Sequence, residues 1–233
     1  MTTPNKLIKA WNKKPTLSWV LLCLCGSLYG CSDNAAYEAA MCALADVSGT
    51  YADEKKNIVK ITKARIISKM LPGDSLFFIR IDSNSYNEGD LIASLKLDYI
   101  PSKANEQKIA MAAKLDKFGK AKTRARHTDI SGAMMLCTDY LNTTKSGNRV
   151  IFVFSDMKEE LQPGVKRDFA EDEFENIHVA AMNVIKLNAD SADPTVYRSR
   201  LEQWKNRTLE AGASSWEVFN DSVRIPEFIE NLR

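Results

Sequence analysis

Met41-Cys42-Ala43-Leu44-Ala45-Asp46-Val47-Ser48-Gly49-Thr50 is a short apolar run ending in an acid, with two hydroxyls behind it at alternate positions. A run of this length, closed by a Gly-containing turn and followed by helical periodicity, predicts a buried strand that feeds a loop. Asp46, Ser48 and Thr50 put three hard oxygens on that loop, spaced two residues apart. Such oxygens suit a cation like Mg²⁺ and suit neither zinc nor a haem iron.

Beyond this stretch, Ile58, Ile61, Ile66, Ile67 and Met70 recur at three- and four-residue steps between Tyr51 and Leu71. That spacing marks a helix, and Pro72-Gly73 stops it. Ser75 to Asp82 reads as a second strand, and the turn-forming Ser83 to Asp90 joins it to Leu91 to Leu97, a short alternating run suited to a sheet edge. Pro101 opens a helix to about Phe118, and a basic connector follows from Lys120 to His127. Thr128 is placed to cap the next helix. Arg149 to Ser155 is the most strand-like run in the chain and leads into Asp156, after which residues 157 to 176 form a polar loop. Val179 to Ile185 predicts a strand, Pro194 to Ala211 a helix, Ser214 to Phe219 the last strand and Pro226 to Leu232 a closing helix. Strands alternating with helices imply an α/β domain with a mostly parallel central sheet covered by helices on both faces.

Upstream of the domain, residues 1 to 30 read as an export signal. Lys6, Lys9, Lys13 and Lys14 precede an apolar segment from Leu17 to Leu28, which is too short to span a bilayer comfortably. Leu28-Tyr29-Gly30-Cys31 resembles the lipobox of bacterial lipoproteins, with Tyr29 where a small residue is usual. That resemblance implies a lipid on Cys31 and a place in the cell envelope facing the periplasm or the exterior, with the outer membrane favoured because Ser32 is no retention signal. A plain secretory signal and an uncleaved anchor are the alternatives. Residues 31 to 36 then form a tether, and residues 37 to 233 one domain, for which 45% hydrophobic content supplies a sizeable core.

The formal charge of +2 belongs to the leader, which holds four of the 32 basic side chains and none of the 30 acids. The remaining 28 bases against 30 acids give no reason to expect a nucleic-acid partner. Removing the leader cysteines and Cys31 leaves Cys42 and Cys137, for which one disulfide can form in an oxidising compartment. Their apolar surroundings favour two buried thiols instead.

In a doubly wound sheet, ligands bind beyond the carboxyl ends of the strands, where the strand order reverses. If the first strand and the Arg149 to Ser155 strand are neighbours there, Asp46, Ser48, Thr50, Thr128 and Asp156 converge on one oxygen-only site. This set resembles the metal-ion-dependent adhesion site of von Willebrand factor A domains, which pairs Asp-x-Ser-x-Ser in one loop with a Thr and an Asp from two others. Thr50 replaces the second Ser and keeps its hydroxyl. The resemblance implies that Ser48, Thr50 and Thr128 ligate Mg²⁺, Mn²⁺ or Ca²⁺ directly, and that Asp46 and Asp156 hold it largely through water. It also implies the family's three-layer, Rossmann-like α/β fold with one antiparallel edge strand, and an open position for a Glu or Asp of a protein partner, hence a binding module and not an enzyme.

Two other readings share these residues. Haloacid-dehalogenase-like Mg-dependent phosphatases also open on a strand ending Asp-x-Asp-x-Thr, but Ser48 stands where that chemistry needs an acid. A metal-free structural subunit of an envelope complex is the third. With only His127 and His178 and no G-x-S-x-G or phosphate-cradling Gly-rich loop, other catalytic arrangements find little support. Lys117, Lys120, Lys122, Arg124 and Arg126 before Thr128, and Glu159, Glu160, Asp168, Glu171, Asp172, Glu173 and Glu175 after Asp156, read first as two solvated loops. As rims of the site they would orient an acidic partner.

Overall fold

Every residue of β1 (Ala39–Asp46) is buried, which a strand achieves only at the centre of a sheet covered on both faces. The computed structural model describes residues 37–123, 125–182 and 193–233. The leader, Cys31, the tether, Arg124 and the expected strand end at 183–185 lie outside them. Among the described residues no helix is long and apolar enough to cross a membrane.

Around β1 stand β2 (Ser75–Ile81), β3 (Leu91–Lys96), β4 (Asn148–Phe154), β5 (Ile177–Met182) and β6 (Ser215–Phe219). Their order is β3-β2-β1-β4-β5-β6, with every pairing parallel except that of β2 with β3. The expected architecture is therefore present, including the antiparallel edge. The helices are α1 (Lys55–Ile61), α2 (Pro101–Lys120), α3 (Ile130–Asn142), α4 (Pro194–Glu210) and α5 (Ile225–Asn231). The α1 rod continues through a π turn at Thr62–Ile66 and a 3-10 turn at Ile67–Lys69. Gly73 then stops the chain at a φ of +93°, and a side chain there would press on Glu38 and Tyr99.

Alternation along β1 divides the core in two. Met41, Ala43 and Ala45 pack with Ile58 of α1, Leu115 of α2 and Phe228 of α5. Ala40, Cys42 and Leu44 pack with Met134 and Leu141 of α3 and Trp204 of α4. Successive strands run outward from β1 to β3 on one side and from β4 to β6 on the other. The order thus reverses between β1 and β4, the point at which sheets of this kind form a crevice beyond the carboxyl ends of their strands.

Cys42 and Cys137 correct the expectation of two free thiols: they are disulfide-bonded, with Cα atoms 5.9 Å apart. Cys42 points to the layer holding α3, and Cys137 lies on the inner face of that helix. Helical periodicity places Cys137 on an apolar face without telling which strand lies beneath it. The bond ties the central strand to α3 across 95 residues of chain. Its removal should cost about 4–5 kcal/mol by the loop-entropy relation, read as a lower urea midpoint under reductant. The Cys42→Ala/Cys137→Ala protein should unfold at that lower midpoint with or without reductant.

Candidate metal centre

Asp46 is the last residue of β1 and is wholly buried. The register that pairs Ala45 with Phe154 sets the next residues, Asp46 and Ser155, side by side. Ser155 Oγ donates to Asp46 Oδ2 at 2.7 Å, while Ser48 donates to Asp46 Oδ1 from its backbone N at 2.8 Å and from Oγ at 2.5 Å. Thr128 Oγ1 in turn donates to Ser48 Oγ at 2.7 Å, across 80 residues of sequence. The result is a continuous run of oxygens, Thr128 to Ser48 to Asp46 to Ser155, drawn from three segments of the chain. Asp156 sits beside it, 8% exposed, its Oδ1 accepting from the Lys158 backbone N at 2.8 Å. Of the five expected residues, Asp46, Ser48, Thr128 and Asp156 therefore gather at the crevice. Thr50 is the second residue of the 3-10 segment Gly49–Glu54 in the same loop, and its side chain lies outside what is described.

Backbone ladders hold the three loops. Val47 O accepts from Ala125 N, and Thr128 and Glu160 exchange N–H···O bonds at 2.8 and 2.9 Å. The Thr128 hydroxyl, expected to cap α3, does not: the cap is Asp129, which accepts from Gly132 N at 2.8 Å. A carboxylate one residue closer to the helix takes the free N–H groups and leaves Thr128 for the site. Asp129, with no exposed surface, also accepts from Ser85 N and from the Arg167 guanidinium, whose contact with Asp129 Oδ2 is 2.8 Å. Arg167 lies in the long polar loop, so this ion pair ties that loop to the start of α3 and to the loop after β2.

Part of the acidic run after Asp156 is accordingly inward-facing. Glu159 accepts from Ser131 N at 2.7 Å and pairs with Arg207, and Trp204 Nε1 donates to Met157 O at 2.8 Å. On the other side, Lys55, Lys56, Lys120 and Lys122 line a cleft of about 530 Å³ with Gly49, Asp53 and Thr123. Lys55 is itself buried, its ammonium on Ala121 O and on Thr123 Oγ1, and burial pulls its pKa down. Lys120 to Thr123, the first part of the basic connector, is therefore a structured wall beside the first loop.

Sequence reasoning missed Ser155, Asp129 and Arg167. The signal for Ser155 was its place between the last apolar residue of β4 and Asp156. Arg167 had none, because nothing local points from a loop to a helix start 38 residues earlier.

Burial pushes the Asp46 carboxyl up to about 6, against hydrogen bonds from Ser155 and Ser48 that pull it down, and the charge of Asp156 adds to the rise. Burial also raises Asp156. Two buried acids beside hydroxyl oxygens form a donor set that fits a hard divalent cation. Among the described residues no three His, Cys, Asp or Glu side chains group as a metal cluster, so such a site depends on hydroxyls to complete it.

No protein-family model matches the chain, and no curated protein does. Solved structures similar to it include the pilus adhesin SpaC from Lactobacillus rhamnosus GG, with 14% identity, 83% of this chain and 29% of that one covered, and a TM-score of 0.47. Another is a von Willebrand factor type A structure from Catenulispora acidiphila, with 10% identity, coverage of 84% and 41%, and a TM-score of 0.44. A third is the conserved hypothetical protein BatB from Bacteroides thetaiotaomicron, with 11% identity, coverage of 83% and 98%, and a TM-score of 0.49. The chain thus spans under a third of SpaC and under half of the Catenulispora structure.

Two outcomes are expected of this site. A Cβ at Gly132 would fall 2.4 Å from Asp129 Oδ2, so Gly132→Ala must push the carboxylate off its partners and should cost roughly 1–3 kcal/mol in urea unfolding. For metal-free protein, the native Asp46 binds its proton more tightly than the unfolded chain, with a pKa near 6 against 3.8. Between those values the native state holds more protons, so stability should fall as pH rises through that window and level off above it. Asp46→Asn should flatten that slope.

Proposed function

We propose that this chain is a divalent-cation-dependent protein-binding module of the von Willebrand factor A type, exported and held at the cell envelope by lipid on Cys31. The observation that carries the reading is the hydrogen bond from Thr128 to Ser48, which joins the first and second loops at the mouth of the crevice. With Asp46 hydrogen-bonded to Ser48 and the charge of Asp156 close enough to act on Asp46, the donors are oxygens only.

Ser48, Thr50 and Thr128 would hold Mg²⁺ or Mn²⁺ through their hydroxyls, with Asp46 and Asp156 behind them. Bound there with few direct charges, the cation supplies an electrophilic position for a Glu or Asp of the partner. Ser155 and the Ser48 backbone N–H hold the Asp46 carboxylate in place, so the Ser48 hydroxyl can exchange its proton contact for the metal without moving the loop. Asp129 and Arg167 hold the α3 end that carries Thr128. Three of the four lysines lining the neighbouring cleft, Lys56, Lys120 and Lys122, are exposed and would draw an acidic partner in from that flank.

In the full chain, Mg²⁺ or Mn²⁺ at about 100 times its dissociation constant should add about 2–3 kcal/mol of stability. That corresponds to a rise of about 5–10 °C in the thermal midpoint, reversed by EDTA. Asp46→Ala and Thr128→Ala should abolish the rise, and Lys120→Glu/Lys122→Glu should keep it. A wild-type midpoint that ignores both metals would end the metal-centre reading. Capture of the same envelope proteins by Asp46→Ala in EDTA would favour the metal-free structural subunit.

A further inference from the structure

The end of the sheet away from the metal centre carries an unusual amount of exposed apolar surface. Tyr37 is 71% exposed, Leu71 51%, Tyr99 61% and Ile100 48%. These residues belong to three separate segments but share one place. Tyr37 stands two residues before β1, Leu71 four before β2, and Tyr99 and Ile100 just after β3, which runs the opposite way. Since Ser75 pairs with both Ala40 and Lys96, all three segments emerge from the same edge.

Contacts confirm the grouping. The Tyr99 phenol donates to Glu38, and a Cβ on Gly73 would touch Tyr99 at 3.0 Å. Asp74 accepts from Leu71 N at 2.6 Å and from Arg233, which also donates to Tyr37 O at 3.1 Å. The acids here are taken: Glu38 by Lys96 and Tyr99, Asp74 by Arg233, and Asp98 by Lys103 at 3.8 Å. Lys96 and Lys103 keep half or more of their side-chain surface exposed. Tyrosine rings with aliphatics and lysine stems suit the headgroup boundary of a bilayer, where one part of each side chain is apolar and the other wet.

Single exposed apolar side chains are ordinary on a soluble surface; four gathered where the chain enters the domain are not. Tyr37 is only six residues past Cys31, a reach of at most about 21 Å. We infer that Tyr37, Leu71, Tyr99 and Ile100 form a membrane-facing surface that seats the domain on the bilayer holding its own N-terminus. The metal centre then lies about 26 Å further out, the length of β1, and faces away from the lipid. This rests on the anchoring in the proposed function.

The test uses full-length protein purified with its native lipid and reconstituted into phosphatidylethanolamine/phosphatidylglycerol vesicles with or without brominated acyl chains. Tyr37→Trp and Leu71→Trp each add one indole at the proposed surface, and Val223→Trp adds one at an exposed position beyond the far end of β6. Two separate positions guard against one variant that fails to fold. The added emission at 37 and 71 should drop by about half in brominated vesicles, and that at 223 should not change. Protein that floats with the vesicles but is quenched no more at 37 and 71 than at 223 overturns the surface and leaves the anchor standing. Protein that does not float removes the anchor, and this inference with it.

Discussion

A carboxylate placed at the end of a doubly buried strand is the constraint around which this molecule is arranged. Asp46 has no exposed surface, and an ionised acid in such a position is costly unless hydrogen bonds and charge answer it. Three donors from Ser48 and Ser155 answer it in part, yet its pKa still rises. The neighbouring Asp156 makes the deficit larger. A pair of acids left in this state has a use if a cation is to be held there, and the hydroxyls of Ser48 and Thr128 are the groups that would complete its shell.

The surroundings show how such a site is kept in shape. The loops that carry it, of which the one after β4 is long, would ordinarily move. Here they are joined by short backbone ladders, by the buried ion pair of Asp129 with Arg167, and by Glu159 between Ser131 and Arg207. The disulfide from β1 to α3 joins the two elements that position Asp46 and Thr128. Rigidity at the crevice thus comes from polar contacts between loops as well as from the core beneath.

Much of the architecture was legible because its signals are local. The alternation of apolar runs with helical periodicity put α2, α4, β4 and β6 within a few residues of their observed bounds. Asp46, Ser48, Thr128 and Asp156 were legible as a set because a doubly wound sheet forces the ends of its central strands together. What stayed hidden were groups whose partners are distant in sequence. The capping role read for Thr128 belongs to Asp129, and the acidic loop read as solvated turns Glu159 inward.

The order of apolar and polar residues determined by itself that this chain would make a mostly parallel α/β sheet with oxygen-bearing loops at one edge, since backbone hydrogen bonding and burial act on each segment as it stands. Only the tertiary structure decided which loops touch, that Cys42 meets Cys137, and that Tyr37, Leu71 and Tyr99 share the opposite edge. Those outcomes depend on strand order and on helix placement over the sheet, and neither is encoded within any single stretch of residues.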